Sequence, residues 1–245
     1  MGTPLTLGHR GASAAAPANT LAAFRLALEL GADGFELDVQ LTADNELVVI
    51  HDYSMDHTTD GSGLVRQKTL AEIKKLDAGV RFASRFAGER IPTLREVFEM
   101  AGKGPFINVE IKTTSPRGNG LEPRLIALIR EYGLGERLVV SSFNPFALWR
   151  IRRLAPDMRL ALLYADDLPA YLRNRWLAFL SHPNALNPKY TMATSDHVRW
   201  AQAHGYGLYV WTVDDEAEMR RLASLGVSGI ISNRPDVLKR VLSGQ

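Results

Sequence analysis

The chain has 245 residues, of which 46% are hydrophobic and 23% charged, and its formal net charge is +2. This is the balance of an ordinary globular protein with a large core, and so small a charge gives no case for a nucleic-acid partner. The chain has no cysteine, which excludes disulfides and thiolate metal sites. No apolar run of about 18 residues and no signal-peptide pattern are present, so we predict a cytoplasmic protein without a transmembrane segment.

The first strand-like run, Leu5 to Gly8, ends at two ionisable residues, His9 and Arg10. A loop with Asn19 or Thr20 as the cap then leads into an amphipathic helix that stops at a glycine. Charged side chains at the end of a buried strand have to be paired or used, so this end of the strand is a candidate site.

The second run, FELDVQL, places Glu36 and Asp38 on one face, because side chains alternate along a strand. After a short polar turn, the run LVVIHD ends with His51. The connection is too short for a parallel crossover, so we predict an antiparallel hairpin. With the turn centred on Asp44 and Asn45, Asp38 falls opposite His51.

Residues 53–92 carry few periodic apolar positions and are predicted to be a small insertion. From Thr93 onward, strand and helix patterns alternate to the C-terminus, including a helix predicted over 168–179. Nine strand-like runs are present, one more than a closed barrel of about eight strands needs, and the hairpin accounts for the extra run. We therefore predict a TIM (β/α)8 barrel with a single domain over 1–245.

In such barrels the catalytic groups gather where the strands end. The run NVEIK adds Glu110 and Lys112 to the groups named above, and a later run adds Trp211. Three carboxylates at this end of the barrel, which we call its mouth, would repel one another unless a cation lay among them. Oxygen donors without cysteine favour Mg²⁺ or Ca²⁺, so Glu36, Asp38 and Glu110 are the predicted ligands of one divalent metal ion.

The net charge predicted for the mouth of the barrel indicates the class of substrate. The metal and its three carboxylates sum to about one negative charge, and Arg10 with Lys112 leaves about one positive charge, which suits a phosphodiester. His9 and His51 can exchange the protons that cleavage requires.

Nearly the whole chain resembles the glycerophosphodiester phosphodiesterase family of the bacterial cytoplasmic type. The resemblance rests on the segments HRGAS, PANTLAAF, GADGFELDVQLTADNELVVIHD, TTDGSG, IPTLREV, NVEIK, SSFNP, VWTV and GIISNRPDVL. It implies a TIM barrel with an insertion after the second strand, and hydrolysis of glycerophosphodiesters to sn-glycerol 3-phosphate and an alcohol, by direct water attack or through a cyclic phosphate.

The resemblance also implies roles for individual residues. His9 and His51 become the acid–base pair, and the three carboxylates become the metal ligands. Arg10 binds phosphate, Lys112 lies near the phosphate or the glycerol, and Trp211 lines the substrate pocket.

The chain departs from the usual family pattern at three segments. Ala18 stands where PENT has glutamate, His57 stands where DRTT has arginine, and the closing TDRP reads SNRP. Alternatives remain at this point: a lysophospholipase D or sphingomyelinase D-like enzyme acting on lipids, a non-catalytic barrel that binds glycerophosphate, and a metal-dependent sugar isomerase.

Overall fold

Eight parallel strands form a closed barrel in the computed structural model, which describes residues 2–113, 115 and 117–244. Closure results from the pairing of the first strand with both the second and the last, as predicted for a TIM barrel. The strands, including one short strand outside the barrel, are β1 (Leu5–His9), β2 (Gly34–Leu41), β3 (Leu47–Val49), β4 (Phe106–Ile111), β5 (Leu138–Ser142), β6 (Leu160–Tyr164), β7 (Ala185–Pro188), β8 (Gly207–Val210) and β9 (Gly229–Ser232).

Helices surround the barrel, and most of them begin at a residue whose side chain caps the helix. Thr20 accepts a hydrogen bond from the Ala23 amide at the start of the first helix, and Thr93 forms a capping box with Glu96. No helix of the described residues is long and apolar enough to cross a bilayer. The helices are α1 (Leu21–Glu29), α2 (Leu70–Ile73), α3 (Leu94–Ala101), α4 (Leu121–Tyr132), α5 (Pro145–Leu154), α6 (Ala170–Arg173), α7 (Ser195–Ala203), α8 (Glu216–Leu225) and α9 (Pro235–Ser243).

Apolar side chains fill the space on both sides of the sheet. The larger cluster lies between the strands and the helices, and a smaller one, which includes Leu7, Val139 and Ile231, fills the barrel interior. Every residue of β2 is buried, so its polar side chains cannot face solvent. Its inward positions near the carboxyl end are therefore where charged groups are concentrated.

β3 pairs antiparallel with β2, beyond the residues of β2 that pair with β1. The register places Val39 opposite Val49, so Asp38 lies level with Ile50 and the predicted pairing of Asp38 with His51 is wrong by one residue. The reason is the loop: the Thr42 amide donates to the Glu46 carbonyl, and Asn45 has a φ of 64°. A three-residue loop that ends in a left-handed residue replaces the predicted two-residue turn.

Residues 50–93 contribute no strand to the barrel sheet in the described structure. They have a small apolar cluster of their own, which includes Met55, Val65 and Ile73. We keep the assignment of residues 53–92, which lie within this stretch, as an insertion in one domain over 1–245 as a proposal. That span includes Met1, Thr114, Pro116 and Gln245, which lie outside the described residues.

The helix predicted over 168–179 is interrupted. α6 ends at Arg173, and Arg175 takes a left-handed conformation with a φ of 59°. Its guanidinium carbon lies 4.8 Å from the ring centre of Tyr164 and 5.2 Å from that of Trp200. Cation–π contacts to two rings favour this position of the arginine over continuation of the helix.

Candidate active site

A tight turn after β1 brings the main chain against β2. Arg10 has a φ of 55° and Gly11 a φ of 86°, and the Arg10 amide donates to Glu36 Oε2 at 3.1 Å. A Cβ added at Gly11 would lie 2.5 Å from the Ala23 carbonyl carbon, so only glycine fits between this turn and α1. The third residue of HRG is therefore fixed by packing, while its first two residues face the site.

Gly11→Ala is expected to lower the free energy of unfolding by about 2–4 kcal/mol, because it adds a steric clash to an unfavourable φ. Thermal denaturation measures the loss. Gly102→Ala is the matched control, since Gly102 also has a positive φ but no atom lies within 4 Å of its added Cβ. Equal losses in the two variants would contradict the clash.

Three buried carboxylates meet at the carboxyl ends of two neighbouring strands. Glu36 and Asp38 come from β2 and Glu110 from β4, and the register places Asp38 directly beside Glu110. One oxygen from each carboxylate lies within 4.8 Å of the others. This is the group of oxygen donors that the alternation along FELDVQL and NVEIK predicts to lie together.

Two cations and one amide surround these carboxylates. Arg10 Nε lies 3.2 Å from Asp38 Oδ2, and Lys112 Nζ lies 2.8 Å from Glu110 Oε1 and 3.5 Å from Asp38 Oδ1. Asn19 Nδ2 donates to Asp38 Oδ2 at 2.9 Å. Asp38 is thus the carboxylate held by the most partners, while its Oδ1 is buried without a hydrogen bond in the described structure.

The three carboxyl groups differ in pKa because their surroundings differ. Burial and the charge of Asp38 raise the pKa of Glu36 well above its usual range, and they raise the pKa of Glu110 to about 7. Burial also acts to raise the pKa of Asp38, but Lys112 and Arg10 outweigh it and hold that pKa below its usual value. Two fixed cations are therefore too few to keep all three groups ionised.

His9 is held by a side chain from the other end of the chain. Its Nδ1 lies 2.6 Å from Asn233 Oδ1, and Asn233 Nδ2 donates to Asp214 Oδ2 at 2.6 Å. Ser13 Oγ also donates to Asn233 Oδ1, at 2.7 Å. Because this amide oxygen can only accept, His9 carries its proton on Nδ1, and Nε2 faces Glu36 Oε2 at 3.9 Å.

His51 follows β3 and has a different kind of partner. Its Nδ1 lies 2.7 Å from Asp52 Oδ1, so a carboxylate accepts the Nδ1 proton. Gln40 Nε2 donates to the carbonyls of Ile50, His51 and Asp52 at 2.8–3.0 Å. The side chain of Gln40, which follows Glu36 and Asp38 in the same alternation, thus fixes the main chain that carries His51.

The two imidazoles line one pocket of about 110 Å³ together with Arg10, Glu36 and Lys112. Trp211 forms part of its wall, with its ring edge-to-face against Phe143 at 5.5 Å between centroids and its Nε1 donating to the Asn187 carbonyl. All eight predicted residues therefore lie in or beside this mouth. Ala18 is half-buried near it, and His57 is exposed in the segment 50–93.

The site includes side chains to which the sequence patterns assign no role. Asn233 and Asp214 orient His9, and Asn19 holds Asp38. Asn233 is one of two residues, with Ser232, at which SNRP departs from the usual TDRP, and this departure is the sequence signal for its position. Asn108 and Ser141 are buried in the same pocket, and their side-chain polar atoms have no hydrogen-bond partner within the described ranges.

Comparison with known proteins gives a consistent result. The model of the glycerophosphoryl diester phosphodiesterase family matches residues 9–237. A protein from Caldanaerobacter subterraneus subsp. tengcongensis, named glycerophosphodiester phosphodiesterase, is 46% identical over 237 residues, which is 96% of each chain. A Bacillus subtilis protein of the same name is 35% identical over 98% of this chain and 87% of its own.

A solved structure agrees with these matches. The phosphodiesterase of Oleispira antarctica, solved in complex with the product sn-glycerol-3-phosphate, superposes with a TM-score of 0.87. It is 30% identical and covers 98% of this chain and 97% of its own. The barrel of that structure and the barrel described here thus have the same fold over nearly their whole lengths.

Proposed function

Since the chain belongs to the glycerophosphoryl diester phosphodiesterase family, we propose that it hydrolyses glycerophosphodiesters to sn-glycerol 3-phosphate and an alcohol. It is an enzyme, a phosphoric diester hydrolase. The product in the Oleispira antarctica complex supports this substrate class. One observation carries the proposal: three carboxylate oxygens within 4.8 Å of one another lie beside two imidazoles that share a pocket.

The donor set fits one divalent cation, and this is the second part of the proposal. Glu36, Asp38 and Glu110 offer only oxygen atoms, which hard ions such as Mg²⁺ and Ca²⁺ prefer. Asp38 Oδ1 is buried without a hydrogen bond among the described residues, and burial, followed by the charges of Asp38 and Glu110, raises the pKa of Glu36. When bound, the ion would act as a Lewis acid toward a phosphoryl oxygen.

Arg10 and Lys112 provide the fixed positive charge for the substrate. Each already contacts a carboxylate at the mouth, so each can also contact an anion placed next to these carboxylates. A guanidinium can bind two phosphate oxygens at once, and the lysine acts as a point charge. We assign Arg10 to the phosphate and Lys112 to the phosphate or the adjoining glycerol oxygen, with Trp211 as a wall.

The partners of the imidazoles suggest separate roles in proton transfer. Burial, followed by the charge of Arg10, lowers the pKa of His9 to about 4, so its neutral ring can accept the proton of the attacking oxygen on Nε2. Burial also lowers the pKa of His51, and this is opposed first by the charge of Asp38 and to a smaller extent by the hydrogen bond to Asp52. We assign His51 as the proton donor to the leaving alkoxide, because the Asp52 carboxylate at its Nδ1 stabilises the protonated ring.

The alternative functions now have different support. The family assignment argues against a non-catalytic barrel and against a sugar isomerase. A lysophospholipase D or sphingomyelinase D-like activity is tested by including a lysophospholipid and a sphingomyelin in the substrate panel. Cleavage of those lipids in preference to glycerophosphodiesters would replace the proposed substrate class.

The test of the proposed function is release of sn-glycerol 3-phosphate from a panel of glycerophosphodiesters. The enzyme is assayed as purified, after chelation, and after chelation with Mg²⁺ or Ca²⁺ added back. We expect turnover to stop on chelation and to return with one of the two ions. Full turnover in chelator would reject the metal, and no glycerol 3-phosphate under any condition would reject the reaction.

Metal affinity is expected to depend on pH, because a ligand must lose its proton before it binds the ion. The pKa of Glu110 is raised to about 7 by burial and Asp38, so the carboxylate is progressively lost below that pH. The Kd for Mg²⁺ or Ca²⁺ should therefore rise roughly tenfold per pH unit on acidification below about pH 7.

Isothermal titration in two buffers of different ionisation enthalpy measures both the Kd and the protons released. Glu36, whose pKa is also raised, adds to the proton release at neutral pH. The variant Glu110→Gln is expected to bind the ion more weakly and with a shallower pH dependence. A Kd that is constant from pH 5.5 to 7.5 would contradict the raised pKa of Glu110. A pKa shift of one unit corresponds to roughly 1.4 kcal/mol.

A further inference from the structure

A second cleft, of about 410 Å³, adjoins the catalytic pocket. The two share Glu110, Lys112 and Phe143, so any molecule bound at the carboxylates can extend from one into the other. The cleft runs past the start of α5 to α6 and the residues that follow it. Because it is nearly four times larger than the catalytic pocket, it can hold a larger group than the pocket can.

Aromatic and aliphatic side chains dominate the outer part of this cleft. They are Tyr53, Phe143, Phe146, Tyr171, Leu172 and Leu177. Among the described residues that line the cleft, the tyrosines aside, only Glu110 and Lys112 are ionisable, and both lie at its inner end. The outer part therefore has no charged side chain of the described chain to pair with a charged head group.

The apolar surface of the cleft is left partly uncovered. Tyr53 is 45% exposed, Phe146 37% and Tyr171 48%, although each is a large ring. Exposed aromatic residues that converge on one concave surface usually mark a binding site, whereas scattered ones do not. The cost of leaving these rings in water is recovered when an apolar group covers them.

The chain from Tyr171 to Leu177 forms the outer wall of the cleft and is held by side-chain contacts to β6 and α7. Arg175 lies over the rings of Tyr164 and Trp200, and the Tyr164 hydroxyl lies 2.6 Å from His197 Nε2. This contact fixes the main chain between Tyr171 and Leu177 against β6 and α7. The wall is therefore held by contacts within the protein that do not involve substrate.

The small pocket and the large cleft suit different halves of a phosphodiester. The pocket contains the buried side chains of Asn108 and Ser141, whose polar atoms have no hydrogen-bond partner in the described part of the chain, so it suits the hydroxyl groups of glycerol. Most of the surface of the cleft is apolar, although Thr113, Ser142 and Asn144 also line it, so it suits an apolar substituent.

From this arrangement we infer that the cleft binds the leaving alcohol and selects uncharged, apolar alcohols. The inference rests on the proposed function. Water adds its oxygen to phosphorus and gives one proton to the base, while the bond between phosphorus and the alcohol oxygen breaks. The alcohol oxygen takes a proton, and the alcohol leaves through the cleft. No oxidation state changes.

The test is a series of glycerophosphodiesters whose alcohols are methyl, propyl and hexyl. Each methylene group that is fully buried raises kcat/KM roughly fourfold. Because the cleft is open, we expect a rise in kcat/KM of about twofold for each methylene added. A second pair compares choline with its neutral carbon isostere, 3,3-dimethylbutanol, as the leaving alcohol. We expect the neutral ester to have the higher kcat/KM.

Tyr171→Ser is expected to flatten the dependence of kcat/KM on chain length, because it removes a large ring from the outer part of the cleft. Phe179→Ser is the matched control: Phe179 is 63% exposed and does not line the cleft. Its dependence on chain length should equal that of the unmodified enzyme. Circular dichroism and thermal denaturation show whether each variant is folded.

The outcomes separate this inference from the proposed function. Release of glycerol 3-phosphate with equal kcat/KM across the alkyl series, or a preference for choline over its isostere, would overturn the inference and leave the proposed function intact. No release from any member of the panel would overturn both. A chain-length dependence that persists in Tyr171→Ser would also overturn the assignment of the cleft.

Discussion

Alanine at His9 or at His51 is expected to lower kcat for a glycerophosphodiester with an aliphatic alcohol by roughly 10²–10⁴-fold. Both rings line the pocket beside the carboxylates, and each has one nitrogen committed to a partner that fixes its orientation. His204→Ala is the control, because His204 is exposed on the outer face beyond α7. Near-normal turnover by either variant of the pair would reject its part in proton transfer.

A change of leaving group separates the two roles. A p-nitrophenolate leaves without help from an acid, so His51→Ala should recover most of its activity on the p-nitrophenyl ester of glycerol phosphate. His9→Ala should remain impaired on both esters, because the attacking oxygen still has to lose its proton. The reverse result, recovery of His9→Ala only, would exchange the two assignments.

The orientation of His9 depends on a contact that no local sequence pattern encodes. His9 and Asn233 are separated by 224 positions, and Asp214 comes from a third part of the chain. The closing segment SNRP could be noticed only as a departure from the usual TDRP. The contact forms because β1 and β9 pair when the barrel closes, which places the ends of these two strands side by side.

The barrel was predictable from the alternation of strand and helix patterns, and its carboxylate cluster from the alternation of side chains along strands. β2 and β4 pair with Asp38 beside Glu110, so two short patterns, ExD and ExK, are enough to bring three carboxylates together. The antiparallel β3 follows from the length of its connection. These features depend on residues that are close in sequence or on neighbouring strands.

The features that sequence patterns missed depend on single backbone conformations and on distant packing. Asn45 in the left-handed region changes the hairpin register by one residue, and Arg175 in the same region ends the helix predicted over 168–179. Neither residue type requires that conformation, although asparagine adopts it more easily than most. The large cleft likewise combines rings from segments far apart in the chain, such as Tyr53, Phe146 and Tyr171.

Replacing Asp38 with asparagine is expected to weaken binding of Mg²⁺ or Ca²⁺ by roughly 100-fold or more. Loss of an outer-shell partner alone costs about 10–100-fold, and Asp38 is proposed to touch the ion directly. The substitution keeps the shape of the side chain but removes one of three negative charges. Turnover at low metal concentration should fall with the affinity and recover in part as the metal concentration rises.

The same substitution tests whether the three carboxylates act as one group. The charge of Asp38 contributes to the raised pKa of Glu36 and of Glu110, so Asp38→Asn should lower both pKa values in the metal-free enzyme and reduce the protons released on metal binding. Titration calorimetry gives the Kd and the proton count together. Asp157→Asn is the control, since this exposed carboxylate pairs with Arg130 on the surface. An unchanged Kd in Asp38→Asn would mean that the ion binds elsewhere.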